Sequence, residues 1–135
     1  MNRTSMFAVA AGFALMTTAV PIIAHHSFAA EFDRSRTITV KGSVTKLEWT
    51  NPHARVYVEG TDETGKTQVW DFELGPPNGL MRNGWRRDSL KPGHQVTVEG
   101  FRSKTSTVVA NARSVKLADG RQVLAGSSFD TGQTP

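Results

Sequence analysis

Residues Thr37–Trp49 read TITVKGSVTKLEW, and the way this stretch folds decides the architecture. Ile38, Val40 and Val44 alternate with polar neighbours, which is the period of a strand with one buried face. Gly42 falls inside the run, and the apolar phase then slips to Leu47 and Trp49. A long strand with an internal glycine and a phase slip is predicted to bulge or bend.

Working outward, Arg55–Glu59 reads as a second strand with Val56 and Val58 on one face. The segment Thr61-Asp62-Glu63-Thr64-Gly65 is a turn. Thr67–Leu74 then forms a third strand, with Trp70, Phe72 and Leu74 on one face and assigned to the core. So short a connection predicts that these two strands pair antiparallel. Pro76 and Pro77 lack an amide donor and end the strand. Asn78–Trp85 spaces Leu80, Met81 and Trp85 as a short helix would. Strands follow at Gln95–Phe101 and Thr107–Leu117, and Asp119-Gly120 signals a hairpin into Arg121–Leu124. This order predicts a mainly β protein: a small OB-fold-like five-stranded barrel with one short helix between strands three and four. A β-sandwich is the alternative.

The ends carry a different message. Residues 1–24 have the parts of a signal peptide: Arg3 near the start, an apolar run from Phe7 to Val20, and a short segment ending in Ala24. The run is short of the roughly 20 apolar residues that span a bilayer. Two cleavage sites compete. Ala24 lies closer to the apolar run but places the bulky Ile22 two residues before it. Ser27-Phe28-Ala29 has small residues at both key positions, and a cut there would discard His25 and His26. Ala24 is the favoured site. The expectation is an exported chain, periplasmic or secreted, without a stable membrane anchor. It has a domain over 25–125 and a disordered polar tail over 126–135.

Composition narrows the chemistry. The chain has no cysteine, which removes disulfides, thiolate metal sites and cysteine nucleophiles. The net charge of +4 is interspersed, and only Arg86 and Arg87 stand side by side, so the charges read as a solvated surface. No serine lies in a Gly-x-Ser-x-Gly elbow, and no phosphate loop or dinucleotide fingerprint is present. Asp71 and Glu73 share a strand face, an ordinary arrangement for a face turned to solvent. No catalytic residue is assigned.

Taken together, several motifs resemble a family of small exported bacterial proteins known only as a domain of unknown function. They are His25-His26-Ser27-Phe28-Ala29-Ala30-Glu31-Phe32-Asp33, Trp49-Thr50-Asn51-Pro52-His53, Gly75-Pro76-Pro77-Asn78, Gly84-Trp85 and Ser89-Leu90-Lys91-Pro92-Gly93. The resemblance runs over roughly His25 to Leu124 and implies a location and a fold, but no reaction.

The histidines are the leading site. The chain has four: His25, His26, His53 and His94. A mature chain beginning at His25 offers an α-amine and an imidazole on one residue, and nitrogen ligands suit copper-type divalent ions. His25, His26 and His53 are the expected metal ligands. This resembles the histidine brace of exported copper proteins, whose usual fold is different. Copper-dependent oxidation would come only with that site. The competing readings are a frayed terminus for His25 and His26 and a turn-capping role for His53. A second expected surface, free of metal, comprises Trp49, Asn51, Arg55 and Tyr57, the region that binds ligands in OB-folds. Its expected partner is an oligosaccharide, a small anion or another envelope protein. Export argues against nucleic acid.

Overall fold

The structure is a computed structural model that describes residues 28–126. The expected signal segment, His25, His26 and the tail beyond Gly126 lie outside the described residues.

The elements run α1 (Phe28–Glu31), β1 (Phe32–Glu48), β2 (Arg55–Asp62), β3 (Thr67–Glu73), α2 (Pro77–Arg82), β4 (Gln95–Ser103), β5 (Val109–Leu117) and β6 (Gln122–Leu124). The sheet order is β3-β2-β1-β4-β5-β6, and β3 also pairs with β5. That extra pairing makes β1, β2, β3, β5 and β4 a closed ring of five strands. It is parallel and short, spanning Asp71–Glu73 against Val109–Asn111. The other pairings are antiparallel.

The long strand β1 makes this closure possible because it bonds β4 along its first part and β2 along its second. The phase slip read from the sequence is a register shift between Val44 and Lys46. Beyond it Leu47 pairs with Val56 and packs against the core. Gly42 is needed where β1 and β2 press together, since a Cβ there would sit 2.1 Å from the Glu59 carbonyl oxygen.

The strand starts at Phe32 rather than at the expected Thr37. Arg34, Ser35, Arg36 and Thr37 are all exposed, so this part has no apolar alternation to betray it. The helix ends at Arg82, short of the expected Trp85. Gly84 has a φ of 89°, outside the helical region, and Trp85 returns its amide to the Leu80 carbonyl at 3.0 Å.

Inside the ring, Val56, Val58, Trp70, Phe72 and Leu74 pack with Ile38, Val40, Val98 and Val115, and Leu80 and Trp85 join the same cluster. A second, smaller cluster joins Phe28, Phe32 and Phe101, with Val109 against it. Phe28 meets Phe101 edge to face at 5.5 Å between ring centroids. Ala110 and Ala112 belong to the inner cluster, so strand alternation turns Val109 and Asn111 outward. The segment α1 therefore lies over the outside of the ring.

Candidate functional site

Register carries one row of residues across the outer face. Glu48 pairs with Arg55, Arg55 with Glu73, Glu73 with Asn111, and Asn111 with Phe101. His53 stands two residues before Arg55 at the end of the β1–β2 connection. Its backbone is held because Ala54 is tied on both sides of the β3 end. The Ala54 amide donates to Gly75 at 3.1 Å, and its carbonyl accepts from Leu74 at 2.8 Å.

This backbone brings His53 Nδ1 within 3.5 Å of Glu73 Oε1. The Arg55 guanidinium grips Asp71 with two hydrogen bonds, 2.7 and 2.9 Å, and its third nitrogen lies 3.8 Å from Glu73 Oε2. Asn111 Nδ2 donates to Glu73 Oε1 at 3.4 Å. Asn111 is fully buried, and its Oδ1 finds no hydrogen-bond partner among the described residues.

Glu73 is only 8% exposed. Burial pushes its carboxyl pKa up, against the pull of His53 and Arg55, and the nearby Glu31 carboxylate adds to the rise. Burial likewise raises the pKa of the neighbouring Tyr57 phenol, with the charges of Asp71 and Glu48 adding to it. The Tyr57 hydroxyl donates to Glu48 Oε2 at 3.3 Å.

The residues singled out from sequence thus separate. His53, Arg55 and Tyr57 fall on one outer patch. Trp49 is half-buried and packs against the core, and Asn51 is exposed in the β1–β2 connection. His94 is exposed at a turn, where its Nδ1 accepts the Lys91 amide at 3.3 Å. His25 and His26 lie outside the described residues. Among the described residues, no group of three or more His, Cys, Asp or Glu side chains is placed to hold a metal ion. Any such site needs ligands from elsewhere.

Glu73 and Asn111 are the residues that sequence reasoning missed. Strand alternation put Glu73 on the outer face with Asp71, and an outer face was read as wet. The parallel contact with β5 sets it beside Asn111, and Glu31 on α1 stands near enough to raise its pKa. No local signal in the sequence announces either feature.

The chain belongs to a family of unknown function, DUF6152, whose model matches residues 13–111. Neither a curated protein nor a solved structure matches it.

Proposed function

We propose that this is an exported binding protein whose ligand is a copper-type divalent ion, held by His53 together with His25 and His26 of the mature amino terminus. The observation that carries this reading is the His53–Glu73 pair. A buried carboxylate beside Nδ1 favours the tautomer with the proton on Nδ1, which leaves Nε2 with its lone pair as the ligand atom. Metal-binding histidines commonly have such an outer carboxylate. The start of the described chain supports the same reading, since Phe28 packs on the face that bears Glu73 and Asn111.

We read the ring as an OB-like barrel. Its support is the bent first strand, the β3–β5 closure and the position of α2 between β3 and β4. In that fold the connection between strands one and two is part of the ligand surface, and His53 sits on it. The metal-free alternative, a module using Trp49, Asn51, Arg55 and Tyr57 for an envelope partner, has less support. The Arg55 guanidinium is already engaged by Asp71, and Trp49 is turned to the core.

The test is calorimetric titration of the mature chain with Cu²⁺. One ion bound per chain is expected, with affinity falling at least tenfold in His53→Ala and falling as pH drops through about 6.5, where imidazole protonates. Equal affinity in wild type and His53→Ala would refute the reading.

A further inference from the structure

His53 precedes the start of β2, and the other end of that strand carries a separate polar cluster. The inner row of β2 passes Val56, Val58 and Gly60 and ends in Asp62, which is 6% exposed. Arg102 on β4 meets it there, with Nη2 donating to Asp62 Oδ2 at 3.0 Å and to Glu63 Oε1 at 3.1 Å. The guanidinium lies 5.5 Å over the ring of Trp70, whose Nε1 donates to the Gly60 carbonyl at 3.1 Å. Arg102 is thus held in place through a single nitrogen, and Nε and Nη1 have no acceptor among the described residues. The carboxylates, by contrast, are well supplied. Asp62 Oδ1 accepts from the Thr64 hydroxyl and from the Thr64 and Lys66 amides, and Glu63 Oε2 accepts from the Thr39 amide.

Arg102, its side chain 20% exposed, lines an open cleft of about 450 Å³ between the first part of β1 and the β2–β3 turn. Every residue lining this cleft is polar. Arg36 and Lys66, both exposed, add two cations, so three cations face two carboxylates that are already bonded. Asp33 is not part of the lining; it bonds Ser35 and has Arg36 and Lys104 near it. The Ser35 and Thr64 hydroxyls donate to Asp33 and Asp62, which leaves their oxygens able to accept. We propose that this cleft binds an acidic saccharide, a polyhydroxylated ring bearing a carboxylate or a phosphate. The acid group accepts from Arg102, at a nitrogen that Asp62 and Glu63 do not hold, and from Arg36 and Lys66. Ring hydroxyls donate to Ser35 and Thr64. A bare anion would leave most of the volume empty, and an apolar ligand would meet no apolar lining. Charge-assisted hydrogen bonds from a guanidinium already held in place give such a ligand its affinity at low ordering cost. The site needs neither the metal nor the amino terminus.

The test is titration of the protein with glucuronate and with glucose phosphate at constant ionic strength, read by amide and arginine side-chain chemical shifts. Glucose and inorganic phosphate are the controls. Saturable shifts at Thr37, Thr64, Lys66 and Arg102 are expected with at least one acidic sugar, and the tighter of the two identifies the acid group. Both controls should bind more weakly by about tenfold, the loss that follows from removing either half of the recognition. Arg102→Lys keeps the charge but gives up the second donor nitrogen, and should weaken binding about tenfold. The double variant Arg36→Ala, Lys66→Ala changes only exposed positions and should have a similar effect, which covers the case in which Arg102→Lys fails to fold. No saturable shift with either acidic sugar, or unchanged affinity in the folded variants, would overturn the proposal. Inorganic phosphate binding as tightly would overturn it as the mark of a general anion patch. Glucose binding as tightly would overturn it by showing that the cations play no part.

Discussion

Val56, Val58, Trp70 and Phe72 point into the ring, whereas Arg55, Tyr57, Asp71 and Glu73, which alternate with them on the same two strands, point out of it. The inner set is apolar and accounts for itself, since each side chain gains by leaving water. The outer set does not. Asp71 and Arg55 make a good ion pair at a half-buried position, but Glu73 is a carboxyl buried deeply enough to have its acidity suppressed. Burying such a group opposes folding, and an apolar residue would serve packing better there. The inner face specifies the fold, and the outer face holds a buried carboxyl whose burial opposes folding, which marks it as the place to look for a site.

The comparison breaks most visibly at Phe72. Phe72→Ala should cost about 3–5 kcal/mol in urea unfolding, because it opens a cavity at the centre of the inner cluster. A loss under 1 kcal/mol would mean that the ring is not packed as described. Asp62, where the inner row of β2 ends, gives the next effect. Its carboxyl pKa is held well below the ordinary 3.8, led by the Thr64 hydroxyl, with Arg102 and the Lys66 and Thr64 amides adding against burial. A depressed folded pKa contributes stability that is present above pH 3.8 and lost as pH falls through the folded value. Asp62→Asn should therefore flatten the acid limb of the stability profile below about pH 4, and an unchanged limb would contradict the assignment.

On the outer face the effects shrink. Asp71→Ala should cost about 1 kcal/mol, since it removes both Arg55 bonds at side chains 28% and 21% exposed. Tyr57→Phe deletes a single hydroxyl contact at 3.3 Å and should cost about 0.5 kcal/mol or less. Should either outer change rival Phe72→Ala in denaturant, the outer face would be a structural element and the functional contrast would fall.

Much of the inner face was legible from sequence. The period-two runs located β2 and β3, the slip after Val44 announced the bulge, and Trp70, Phe72 and Leu74 were assigned to the core where they lie. The start of β1 was not legible, because its exposed Arg34–Thr37 segment carries no apolar pattern. The outer site was half legible. His53, Arg55 and Tyr57 were found by residue type, yet Glu73 was read as a wet strand acid. Its setting depends on the parallel contact with β5, far along the chain, which no local pattern in the sequence reveals.

In the proposed site His53 presents Nε2 to a metal while Glu73 holds the other side of its ring. A crystal structure of the mature chain grown with one equivalent of Cu²⁺ tests it most directly. The account predicts an ion about 2.0–2.1 Å from His53 Nε2, the usual imidazole–metal distance, with Glu73 beside Nδ1 and nitrogen ligands from His25 or His26 completing the site. An ion bound elsewhere, or a His53 imidazole left without metal while the protein is saturated, would contradict it.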